Sequence, residues 1–267
     1  MFFKFQTNKE VIFMFKLLKL ELKRSLINTS FLICIILGIM CCFIQSSEWM
    51  QHTDSYCYVE LWTRGQEYFS IFFPLLVSIP YAYTLSVERK NHFLKYVYTR
   101  ADKNKYLIAK GIANGITGGL VIFMSSLILF LVLKHIFLAP SQIINHEILI
   151  SKDPFSYLIK SNPNIYILIF CLWGFLNGFI WATFSYAISL IANNIFIVLA
   201  IPFLYHIINS FLFQLLGFSL ISSTEAFAPY VLHSFAFIRI FIPCIIVISI
   251  SAIILYYYTL IKENCYD

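Results

Sequence analysis

Apolar residues in this chain run in long blocks, and no other feature constrains its fold as strongly. Six blocks approach or exceed the roughly 20 residues that a helix needs to cross hydrocarbon. They lie at about 28–45, 68–87, 112–133, 165–191, 195–216 and 240–261. Charged residues make up 12% and apolar residues 60%, against about 25% charged in a soluble domain. A soluble core of this length could not hide so much apolar surface. The expected fold is therefore an all-α polytopic membrane protein, one domain over 1–267 with six transmembrane helices. The start, "MFFKFQTNKEVIF", lacks the small-residue cleavage pattern of a secretory signal.

Orientation follows from Lys and Arg in short loops. Six crossings put both termini on one side, which then holds fourteen of the 19 basic residues and leaves five for the other. Both termini are expected in the cytoplasm, with the protein in the cell membrane. Acidic residues divide almost evenly, so the net charge of +6 reflects topology. Nothing suggests nucleic acid as a partner.

Seven cations crowd into 85–110: Arg89, Lys90, Lys95, Arg100, Lys103, Lys105 and Lys110. This stretch falls on the cytoplasmic side between the second and third crossings. The next cytoplasmic turn, "ANN" at 192–194, is short and uncharged. The longer loop carries Phe93, Leu94, Tyr96, Val97 and Tyr98 between charged ends, which suits a short helix along the membrane face. Two uses are open for it, an interfacial anchor or a docking site for a cytoplasmic partner. At 14–30, Phe15, Leu18, Leu22 and Leu26 recur at helical spacing with Lys16, Lys19, Lys23 and Arg24 mostly off that face. This predicts an amphipathic interfacial helix leading into the first crossing, with Asn28 and Ser30 at the transition.

The start "FKLLKLELKRSL", the six crossings and the run "PYAYTLSVERKNHFLKYVYTRADKNKYLIAK" together resemble the membrane subunits of type-2 ABC transporters (ABC-2 permeases). In that family an apolar second span commonly ends in Glu with basic neighbours. A short helix, a Thr–Arg-like turn and a Tyr-x-x-x-Lys entry into the third span follow. The matching positions are Glu88–Arg89, Phe93–Val97, Thr99–Arg100 and Tyr106–Lys110. The departure is Asn91–His92, where many members carry Gly. The resemblance implies that this loop is a cytoplasmic coupling helix seated in a separate ATPase subunit, with Glu88, Arg89, Phe93, Tyr96 and Arg100 as coupling residues. It also implies a second permease copy or a homologous permease as partner. Met14 begins a segment that reads like a family start. No G-x-x-x-x-G-K-[ST] loop is present, so ATP is expected on the partner; no cofactor, metal or catalytic residue is expected in this chain.

Polar side chains inside apolar blocks are costly in lipid unless paired. His206, Ser210 and Gln214 recur every four residues with Asn209 beside them, and Asn177, Trp181 and Ser185 do the same one block earlier. Either stripe could face a pathway or bond a neighbouring helix; His206, Asn209, Gln214 and Asn177 are the pathway candidates. Gly111, Gly115 and Gly119, and likewise Gly174, Gly178 and Ala182, form small-residue faces for close helix packing. Pro74, Pro80, Pro202 and Pro243 should kink or break their helices. The seven cysteines read as small apolar residues, with Cys57 expected to be accessible outside. An outer segment, 46–67, holds an aromatic set. Another, 217–239, corresponds by resemblance to a re-entrant hairpin between the last two spans.

The leading expectation is the permease subunit of an ATP-driven exporter, with peptides, lipids and amphipathic antibiotics open as substrates. A membrane scaffold or sensor that binds an ATPase without transport is the alternative. An intramembrane enzyme is weaker, because His206 and Ser210 share a face without a glycine elbow. Glu88 is expected to pair with Arg89, with Arg100 or with a base on the partner.

Overall fold

The computed structural model describes residues 2–50, 57–136, 156–218, 222–228 and 237–260. These form eleven helices: α1 (Phe2–Leu26), α2 (Thr29–Met50), α3 (Tyr58–Ser78), α4 (Thr84–Lys90), α5 (Phe93–Tyr98), α6 (Lys103–Ile136), α7 (Ser156–Ser161), α8 (Pro163–Ile191), α9 (Ile195–Leu215), α10 (Ser223–Phe227) and α11 (Phe237–Leu260). Expectations that fall on Tyr56, Lys152, Pro229, His233, Lys262 and Cys265 lie outside the described residues. Five helices are long and apolar enough to cross a membrane: Thr29–Met50, Lys103–Ile136, Pro163–Ile191, Ile195–Leu215 and the Ile240–Tyr258 part of α11. Each coincides with an expected block.

The second block is the exception. It was expected as one helix over 68–87, but α3 starts ten residues earlier and stops at Ser78. Pro80 follows, residues 79–83 turn, and α4 begins at Thr84. The early start draws Glu60, Arg64 and Glu67 into the helix, so α3 is not among the five. Its burial explains why it tolerates them. Trp62, Phe69 and Phe73 are fully buried or nearly so. The polar side chains between them bond to the chain itself. The Trp62 indole N–H donates to the Ser126 carbonyl (3.1 Å), Gln66 donates to Ser126 Oγ (3.1 Å), and Arg64 pairs with Glu67 (2.9 Å). A helix surrounded by other helices need not be apolar all round, provided each polar group finds a partner.

Two further expectations change. In α1, Phe15 is 65% exposed, while Glu21 and Ser25 are buried. Leu18, Leu22 and Leu26 of the expected stripe are half-buried and Lys16, Lys19, Lys23 and Arg24 are exposed, as expected, but Phe15 is not covered and the polar Glu21 and Ser25 share the inward side. Cys57 is buried, and its sulfur accepts the Val59 N–H at the start of α3. The described cysteines are all free thiols.

Caps set the helix starts. Asn28 Oδ1 accepts the Ser30 N–H at α2, Asp102 Oδ1 accepts the Asn104 N–H at α6, and Asn194 Oδ1 accepts the Phe196 N–H at α9. Helices α6 and α8 approach through small residues: a Cβ on Gly178 would lie 2.7 Å from the Gly118 carbonyl oxygen. That contact fixes the centre of the bundle, with α3 against both.

Candidate functional site: a buried ion cluster under an exposed elbow

Four segments bring charge to one buried point. Helix α1 supplies the inward Glu21 and, at its edge, Arg24. The turn after α3 supplies Tyr81, α4 supplies Glu88, and the first turns of α6 supply Tyr106 and Lys110. Lys110 is fully buried, and its Nζ lies 2.5 Å from Glu88 Oε2. The Tyr106 hydroxyl donates to the same carboxylate oxygen at 2.9 Å. Arg24 NH1 lies 3.1 Å from Glu21 and 3.6 Å from the other oxygen of Glu88. The Tyr81 hydroxyl donates to Glu21. Lys110 also sits over the Tyr81 and Tyr106 rings, 5.3 and 5.5 Å from their centroids.

Two carboxylates and two cations make the cluster neutral. Glu21, Tyr81, Glu88 and Tyr106 are all less than 9% exposed, and only Arg24 reaches outward, with its side chain 52% exposed. Such a network holds together only while every member is present, because an unpaired buried charge is expensive.

Glu88 alone among the expected coupling residues enters the cluster. Its partners are Lys110, Tyr106 and Arg24; the expected pairings with Arg89 and Arg100 are not made. The sequence pattern assigned Lys110 to the loop, whereas α6 begins seven residues earlier and carries it inside. Arg89 points elsewhere. It donates to Asn193 Oδ1 (3.0 Å) and to the Ser189 carbonyl (3.3 Å), and lies over the Tyr258 ring. It therefore fastens α4 to the α8–α9 turn and to α11. On α5, Leu94 is buried, but Phe93 is 42% and Tyr96 72% exposed, and Arg100 just beyond is exposed. Between α4 and α5, His92 has φ 55°, a left-handed conformation that favours glycine. It is the non-glycine residue at positive φ among those described.

The expected pathway residues divide. His206 is fully buried, its Nε2–H donating to the Ser70 carbonyl (2.9 Å) and its ring edge-on to Phe73 and Trp181. Asn209 Oδ1 accepts from the N–H and hydroxyl of Ser223 on α10. Asn177 donates to the Trp173 carbonyl and accepts from Cys244 on α11. These three join helices of the same chain. Gln214 is exposed, on the outer face of α9 with Ile208, Phe211 and Leu215. Among the described residues no hydrogen bond joins His206 to Ser210, and no group of three His, Cys, Asp or Glu is placed to hold a metal ion.

Sequence reasoning missed Glu21, Arg24, Tyr81 and Lys110 as one site. The signal was a Tyr106-x-x-x-Lys110 pair on one helix face, and Glu21 set between Leu20 and Leu22 in α1. Comparison with protein-family models, with curated proteins and with solved structures finds no match.

Proposed function

We propose that this chain is the membrane subunit of an ATP-driven exporter of the ABC-2 type, paired with a second permease and with separate ATPase subunits. In this reading α3 makes a sixth crossing together with the turn after it, both termini are cytoplasmic, and α4–α5 is the surface that an ATPase grips. One observation carries it. The α4–α5 elbow offers Phe93 and Tyr96 outward while Glu88, on the same elbow, is bonded into the α1 and α6 helices. An interfacial anchor needs exposed apolar bulk and cations only. A device that passes displacement inward also needs a rigid link, and Glu88–Lys110 is such a link. The left-handed His92, at the position where the resembled family often carries Gly, supports the same reading.

A membrane subunit that binds an ATPase without transport is favoured by a different observation. His206, Asn209 and Asn177 spend their hydrogen bonds within the chain, on Ser70, Ser223, Trp173 and Cys244. ATP-dependent flux in vesicles separates the two, since only the exporter moves substrate. Affinity purification of the chain from its native membranes, with mass-spectrometric identification of partners, tests both. Recovery of a P-loop ATPase is expected, and its absence would overturn both readings.

A further inference from the structure

We infer that the outward face of α1 seats on an anionic bilayer surface, with Lys16, Lys19 and Lys23 placed among the phosphates of acidic phospholipids. The three lysines recur at spacings of three and four, which puts them on consecutive turns of one helix face, and all three are exposed. Among the described residues none pairs with them. Their own helix offers no compensation. Glu21 is the single acid between Val11 and Ser47, and it is buried on the inner side, bonded to Tyr81 and Arg24. Leu20 and Ile27, 59% and 72% exposed, border the lysine row. Cations beside exposed aliphatic side chains suit a helix lying in a headgroup layer, its apolar side chains at the acyl boundary and its lysines among phosphates.

The position of α1 selects a bilayer over a soluble acidic partner. The helix ends at Leu26, and α2, long and apolar enough to cross a membrane, starts at Thr29. The last turn of α1 is fastened to the bundle: the Ser25 hydroxyl meets the Thr117 hydroxyl of α6 at 2.7 Å, and Asn28 just beyond donates to the Pro80 carbonyl (3.0 Å). Leu32, Ile33 and Ile36, in the first turns of α2, are each more than half exposed, a surface that lipid tails cover. Lys23 lies within two turns of Thr29, so the lysine row runs up to the level at which α2 enters hydrocarbon, where the phosphates are. Each Lys near that surface adds to the attraction for anionic lipid. The inference requires only membrane-length helices and is independent of ATPase docking.

The test places a photocrosslinker on this face. The full-length protein carrying Leu20→p-benzoylphenylalanine is returned to vesicles of phosphatidylglycerol and phosphatidylcholine in equal amounts and irradiated, and mass spectrometry counts the adducts of each lipid. Phosphatidylglycerol adducts should exceed phosphatidylcholine adducts at least about fivefold, the factor that one surface lysine supplies. Adding Lys16→Gln/Lys19→Gln/Lys23→Gln should bring the ratio near one with an unchanged unfolding midpoint, and about 0.5 M salt should lower the ratio in the labelled chain without these changes. If the label at Leu20 prevents insertion, the same label at Ile27 reads the same border. If the triple variant does not insert, the salt arm decides, and a ratio insensitive to salt overturns the proposal. A ratio near one before the lysines are changed also overturns it, as does an unchanged ratio in the inserted triple variant. Adducts to protein in place of lipid overturn it as well, and identify an acidic protein or a second copy as the occupant.

Discussion

Lys110 and Glu88 are worth more together than apart. Both sit in a low-dielectric site, and each neutralises the other at 2.5 Å. Removing one partner leaves a buried charge with fewer contacts, and such losses cost roughly 3–5 kcal/mol. Lys110→Met and Glu88→Gln should each lower the midpoint of thermal unfolding in detergent, and the double variant should lose less than the two single losses added. Full additivity would show that the pair does not interact. His92 tests the elbow differently. Its left-handed backbone disfavours side chains branched at Cβ by about 1–2 kcal/mol. His92→Gly should match or exceed wild-type stability and His92→Val should fall below it; the reverse order would contradict the left-handed elbow. His206 shows what a residue-level pattern conceals. The stripe of His206 and Gln214 reads as one polar face, yet one side chain meets the Ser70 carbonyl and the other is exposed. Spacing gives the angular position on a helix, and which neighbour occupies that side is decided elsewhere in the chain.

At the scale of elements, five of the eleven helices were readable as spans because hydropathy over 18–20 residues is a strong signal. Asn28, Asn194 and the glycine faces of α6 and α8 were readable too, since capping and close packing depend on local residue types. Helix α3 was misread for a physical reason. Hydropathy assumes that lipid is the neighbour, whereas α3 is wrapped by protein, and protein supplies partners for Gln66, Arg64 and Glu67. The same reversal hid the cluster, because Glu21 on α1 and Lys110 on α6 are 89 positions apart and neither implies the other. The α6–α8 contact gives a prediction at this scale. Gly178→Leu would drive a side chain into the Gly118 carbonyl and Gly119 Cα, both under 3.0 Å from the added Cβ. It should cost at least about 1–3 kcal/mol, seen as a lower unfolding midpoint or loss of the folded protein from the membrane. An unchanged midpoint would mean that the two helices are not in close contact.

Across the whole molecule, the basic asymmetry, the exposed elbow and the buried cluster give one arrangement. Through Glu88 the cluster ties α4 to both α1 and α6. Topology is tested by cysteine substitution: Arg100→Cys should resist an impermeant maleimide in intact cells and Lys152→Cys should react. Reaction of Arg100→Cys would reverse the orientation. The central claim is that the elbow grips an ATPase, and the most direct measurement compares partner recovery between two forms of the chain. Wild type and Phe93→Ala/Tyr96→Ala are purified from native membranes under identical mild conditions, and ATP hydrolysis and P-loop ATPase content are measured per chain. The account predicts an ATPase with wild type and a loss of at least about tenfold with the double variant, equivalent to removing two aromatic contacts worth roughly 1 kcal/mol or more each, while both forms unfold at the same temperature. Equal recovery from both forms would contradict it.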